Sequence, residues 1–264
     1  MIHCGLLMGV DDASPMYDRG FDSDGGATLN SLLRQSSVLA ALALWLPAFA
    51  ITPAGAQGVQ APGDPCRPVS QRTQEVGCWI LADNPIGELG KSPAFWHLDT
   101  YPTRAAAEAD KGPRGVIVES RGKVWLLTIE NEKWSAAHGT HMATIGPLGI
   151  IAGEKYSTQY MEAVFTPGMT APTHVHSGPE AWYAQAGETC VETSDGRVQV
   201  GRPGGAPVIV PEGLSMHLTA TGAEQRRTLV LILHRTSEPP TTMVHDWTPR
   251  GLCKQPNLGA GKGK

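Results

Sequence analysis

The stretch GMTAPTHVHSGPEAWYAQAG, residues 168–187, carries two histidines one residue apart and a glutamate four residues after the second. Two imidazoles and a carboxylate form a ligand set that suits iron, manganese, zinc, copper or nickel. In an extended strand, residues two apart share a face, so His174 and His176 point the same way. Ser177-Gly178-Pro179 then breaks the strand. Glu180 opens a second strand, EAWYAQ, which is expected to fold back beside the first. The three groups then meet inside a small barrel or sandwich, either as ligands of one ion or as a hydrogen-bonded polar cluster without one.

The elements that must position them read as mainly β. Short aliphatic or β-branched runs at 115–120 (GVIVES), 123–129 (KVWLLTI), 208–210 (VIV) and 228–233 (TLVLIL) mostly have Gly or Pro near an end, the pattern of strands between turns. Only 103–111 (TRAAAEADK) has a helical composition, with Thr103 as its expected N-cap. A Gly-rich segment around residue 150, GPLGIIAGEKY, separates two strand-rich halves in which no repeat is visible at the level of residues.

Gly168, five residues, His174-Val175-His176, three residues, Glu180, six residues, Gly187 resembles the first signature motif of the cupins at every position. The resemblance covers about residues 162–235. It implies an all-β cupin double-stranded β-helix, a jelly-roll barrel, here with a strand-rich N-terminal companion region and one short helix. It also implies a divalent transition metal (Fe, Mn, Zn, Cu or Ni) held by His174, His176 and Glu180. The second cupin motif is partial. Gly205, Pro211 and Gly213 fit its first half, but Met216 stands at the position of a third histidine ligand and Ala220 at that of an asparagine. His217 comes one place late, and strand alternation turns Met216 inward and His217 outward unless a bulge shifts the parity.

The remaining histidines carry weaker expectations. His138 and His141 (HGTH) lie in a loop-like stretch and are candidates for additional ligands; His97, among the aromatics of PAFWHLDTYP, fits a core or interface position. His234 ends an apolar strand and His245 lies near the carboxyl end, neither with a recognisable partner. There is no G-x-S-x-G nucleophile motif and no Walker-type loop, which argues against a covalent hydrolase or a nucleotide enzyme.

Residues 38–51 form an apolar run after Arg34, and Ala54-Gly55-Ala56 supplies the small residues of a signal-peptidase site. The run is short for a membrane span, which needs about 20 residues. Residues 1–27 are acidic and Gly-rich, unlike a basic signal start, and leave the start of translation open. Removing residues 1–56 takes away two arginines and five aspartates and moves the formal net charge from −4 to −1. A nearly neutral chain has no basic stripe for nucleic acid or anionic lipid. Cys66, Cys78, Cys190 and Cys253 then remain, an even number that admits three pairings in an oxidising compartment.

The expected organisation is a presequence at 1–56, a linker at 57–73, a companion region at 74–150 open to being a degenerate cupin half, a barrel at 151–250 and a disordered tail at 251–264. The expected protein is secreted or periplasmic, binds a small molecule, has no membrane span in its mature form and has a homodimer as its candidate assembly. Two functions fit: a metal-dependent protein acting on that molecule as an oxygenase or isomerase, or a metal-free cupin serving as a binding or structural module.

Overall fold

The computed structural model describes residues 66–254. The signal-peptide reading of residues 1–56 and the low-complexity reading of 255–264 lie outside the described residues.

Three sheets account for the architecture. The six-stranded sheet runs in the order β1 (Arg67–Pro68), β2 (Gly77–Glu88), β7 (Lys155–Phe165), β14 (Arg226–Arg235), β9 (Glu180–Ala186) and β12 (Val208–Val210). The five-stranded sheet runs β11 (Val198–Gly201), β10 (Glu188–Thr193), β13 (Met216–Thr221), β8 (His174–His176) and β15 (Thr241–Met243). Between their inner faces lies a core that includes Met161, Phe165, Trp182, Val191, Met216 and Ile232. These two sheets, antiparallel except for the short parallel β1–β2 pair, enclose a common interior and make the jelly-roll barrel.

β14 shows why the run TLVLIL is apolar throughout instead of alternating. It pairs with β7 on one side and β9 on the other. Val230 and Ile232 enter the barrel interior, whereas Leu229, Leu231 and Leu233 enter a second core outside it. A strand covered on both faces has no solvent side to leave polar.

The second core is closed by the four-stranded sheet β4 (Gly115–Ser120), β5 (Lys123–Glu130), β3 (Ala94–Tyr101) and β6 (Thr140–Leu148), in the order β4-β5-β3-β6. Trp96, Leu98, Trp125, Leu127 and Ile129 from this sheet pack on Tyr156, Tyr160 and the outward leucines of β14. Each such side chain removed from water contributes about 1.5–3 kcal/mol. The companion region is therefore strand-rich and shares a core with the barrel. Where it meets β7, the buried Glu162 carboxylate accepts hydrogen bonds from Ser120 Oγ at 2.7 Å, Arg121 at 3.1 Å and Arg72 at 3.2 Å.

The single α-helix among the described residues, α1 (Arg104–Asp110), starts where expected: Thr103 is its N-cap, and its hydroxyl accepts from the Ala106 N–H at 3.1 Å. Two expected boundaries shift. β2 falls within 74–150 but pairs antiparallel with β7, so the barrel sheet begins well before residue 151. Residues 251–254, assigned to a disordered tail, form a 3-10 turn after Gly251, and Cys253 is buried. The reason is covalent and polar: Cys253 is bonded to Cys190, and Glu192 accepts hydrogen bonds from the Arg250 N–H and, at 2.9 Å, from the Leu252 N–H. The other pair, Cys66–Cys78, ties the segment before β2 to that strand.

Candidate metal centre

The H-x-H pair occupies β8, and both imidazoles are buried at the edge of the barrel interior. Glu180 opens β9, also buried, on the same face of that strand as Trp182. Here the structure corrects the sequence expectation. β9 does not fold back beside β8; it pairs with β14 and β12 in the other sheet, so histidines and glutamate approach across the barrel. The crossing is held by two backbone bonds onto β14, from Leu233 N–H to Pro179 O at 3.0 Å and from Arg235 N–H to Ser177 O at 3.1 Å. Gly178 is required by that close passage, since a Cβ there would lie 1.9 Å from the Leu233 carbonyl oxygen.

The two rings meet edge to face with centroids 4.8 Å apart. His176 Nε2 lies 3.6 Å from Glu180 Oε2, too far for a hydrogen bond. Ligand atoms of His174, His176 and Glu180 all lie within 4.8 Å of one another. Bonds of about 2.0–2.2 Å to one ion place ligand atoms roughly 3–4 Å apart, so the widest pair must close by a small side-chain swing.

The tautomers are fixed by the backbone. His174 donates its Nδ1–H to Pro172 O at 2.6 Å, and His176 donates its Nδ1–H to Pro240 O at 2.8 Å. A carbonyl only accepts, so in the neutral form of each ring the proton resides on Nδ1 and Nε2 is the atom that offers a lone pair. His176 Nε2 and Glu180 Oε2 are buried without a hydrogen-bond partner. Such atoms are costly to leave bare, and a cation answers both at once. Charge states agree. Burial, reinforced by His176, lowers the pKa of His174. Burial pushes the Glu180 carboxyl up, but His176 and His174 outweigh it and hold the group below its ordinary value. A neutral imidazole and an ionised carboxylate are the forms that bind metal.

Met216 is fully buried in the interior apolar cluster and stands opposite His174 in the β13–β8 ladder. His217 is paired with Glu192 in the adjoining ladder and does not join the converging group. His138 and His141 also stand apart: His138 contacts Asp110 through Nδ1 at 2.7 Å, and His141 contacts Asp99 at 3.0 Å. His97 is buried on β3, with Nε2 3.0 Å from Asn131 O. His234, which the sequence left without a partner, is buried with Nδ1 3.0 Å from Arg235 O and 3.2 Å from Glu238 O. His245 is exposed.

The three residues line a cavity of about 340 Å³ whose walls include Met161, Phe165, Leu218 and Val230. Sequence reasoning missed one functional-looking group on that wall, Arg226, which is 1% exposed. Its signal was parity: Arg226 is four and six residues before Val230 and Ile232, and so shares their inward face.

Paired sheets in this order, with the complete first signature converging between them, define the fold. It is a double-stranded β-helix, a jelly-roll barrel. No protein-family model matches the chain, and no curated protein sequence matches it. Among solved structures it is similar to a cupin-like protein from Thermotoga maritima at 18% identity and a TM-score of 0.30, over 33% of this chain and 64% of that one. It is similar to a DMSP lyase from Ruegeria pomeroyi at 23% identity and a TM-score of 0.29, over 36% and 45%. It is also similar to oxalate decarboxylase from Bacillus subtilis at 24% identity and a TM-score of 0.29, over 36% and 26%. The chain thus spans less than two thirds of each of these proteins.

Proposed function

We propose that this cupin binds one divalent transition metal (Fe, Mn, Zn, Cu or Ni) through His174, His176 and Glu180, and acts on a small molecule admitted to the barrel cavity. The observation that carries the reading is the pair of bare, buried ligand atoms, His176 Nε2 and Glu180 Oε2, backed by Nδ1–H bonds to Pro172 and Pro240 that aim both imidazoles. A bound ion would supply Lewis acidity or an oxygen-binding centre. The chain's own residues do the rest. Pro172 and Pro240 orient the rings, Glu180 adds the negative charge, and the apolar wall of Met161, Phe165, Leu218 and Val230 limits water around a bound molecule. The two disulfides support work in an oxidising compartment, secreted or periplasmic.

Metal analysis of protein refolded with each candidate ion tests the reading: about one equivalent of a single metal is expected. The buried Met216 in place of a third histidine favours a second reading, a metal-free binding module. Binding below about a tenth of an equivalent for every ion would decide for that module.

A further inference from the structure

The second charged feature of the cavity is cationic and stands away from the histidines. Arg226 opens β14, opposite Phe165 of β7. Its guanidinium carbon lies 5.0 Å from the Phe165 ring centroid and 5.3 Å from that of Trp182. Aromatic rings answer the faces of a guanidinium, but its N–H donors lie in its plane. Nε and Nη1 are buried and have no hydrogen-bond partner, and no carboxylate among the described residues forms an ion pair with Arg226. Burial lowers the pKa of the group to about 10, with Glu180 opposing, which leaves it a cation at neutral pH. A buried charge with bare donors is costly unless something completes it.

We propose that Arg226 is a carboxylate-binding subsite, so that the molecule entering the barrel is a small organic acid with an apolar body. Three observations select that class. The in-plane donors of a guanidinium match the planar oxygens of a carboxylate. One positive charge balances a monoanion, whereas a phosphate dianion would leave excess charge buried. The wall between Arg226 and the histidine site, with Met161, Ala163, Leu218 and Val230, suits a hydrocarbon body. Gly187 makes room for this end of the barrel: a Cβ there would lie 2.7 Å from the Arg226 Cα.

The subsite also sets polarity within the cavity. Ile232 pairs with Glu180, and Arg226 lies six positions before it on the same strand, so the guanidinium and the Glu180 carboxylate approach the cavity from different points along the length of β14. The acid group is held at one end and the rest of the molecule points toward the histidines. That orientation rests on the metal reading; the carboxylate subsite does not.

The test uses chelator-treated protein, so that no ion can bind the probe. Isothermal titration with hexanoate and with 1-hexanol, which share the chain and differ in charge, is expected to show a preference for hexanoate of about tenfold or more. In Arg226→Met that preference is expected to vanish while the circular dichroism spectrum is kept. A wild type that does not prefer hexanoate, or an Arg226→Met variant that prefers it equally, overturns the proposal. Should the methionine variant fail to fold, Arg226→Lys keeps the charge without the planar fork and is expected to weaken hexanoate binding at least about threefold; unchanged binding overturns the subsite. A protein that takes metal but shows no hexanoate preference refutes the subsite alone. The reverse result refutes the metal alone.

Discussion

Met216 stands directly across the β13–β8 ladder from His174, on the interior face, and is fully buried. The strand therefore already presents a side chain toward the first histidine at the one place where a further ligand would come from it. Met216→His is expected to tighten metal binding about tenfold or more, a gain of about 1.4 kcal/mol, read by competition with a chelating dye. Unchanged affinity would show that position 216 does not reach the ion.

His176→Ala removes one of the three proposed ligands from a barrel whose stability comes from its aliphatic and aromatic strands. Bound metal is expected to fall below about a tenth of the wild-type content, while the urea midpoint of the metal-free protein changes by less than about 2 kcal/mol in unfolding free energy. Full metal content in this variant would place the site elsewhere.

Gly178→Ala forces a Cβ against the Leu233 carbonyl, where only 1.9 Å is available. Backbone cannot yield as a side chain would, so the loss is expected to be at least about 3 kcal/mol, measured by urea unfolding. Because the same turn carries the chain from β8 to β9, metal affinity is expected to drop as well. A variant of wild-type stability would mean that the chain crosses β14 with more clearance.

Asp110 accepts from His138 Nδ1–H at 2.7 Å, Tyr101 O–H at 2.7 Å and the His138 backbone N–H at 2.7 Å. The His138 bond first and then the Tyr101 bond pull its pKa from 3.8 to about 2. A depressed carboxyl contributes stability that is complete above the unfolded value and is lost as pH falls through the folded one. The wild type is therefore expected to lose stability between about pH 4 and pH 2 more steeply than Asp110→Asn, as followed by urea midpoints. Parallel curves would show that the contact contributes nothing in solution.

The convergence of His174, His176 and Glu180 was legible because strand periodicity puts His174 and His176 on one face and a turn sets Glu180 near them. The sheet to which Glu180 belongs was not. Ser177-Gly178-Pro179 reads equally well as a hairpin or as a crossing, and only the hydrogen bonds onto β14 separate the two. β2 was obscured by Asn84-Pro85 and Gly87, which look like a turn; the strand absorbs them through register shifts between Ile80 and Ala82 and between Pro85 and Gly87. Arg226 was hidden by its type. A charged pair after the polar turn GAEQ reads as solvated, and its burial depends on Phe165 and Trp182, which lie on other strands. Disulfide pairing was open among three choices because spacing says nothing about which cysteines the sheets bring together.

The companion sheet has a consequence for self-association. By laying Trp96, Trp125 and their neighbours over Tyr156, Tyr160 and the outward leucines of β14, the chain covers part of the outer face of its own six-stranded sheet. A second copy of the protein cannot stack on that patch without first displacing residues 94–148. Any homodimer must therefore be built on other surfaces, and disrupting it should leave the packing around Trp96 and Trp125 undisturbed.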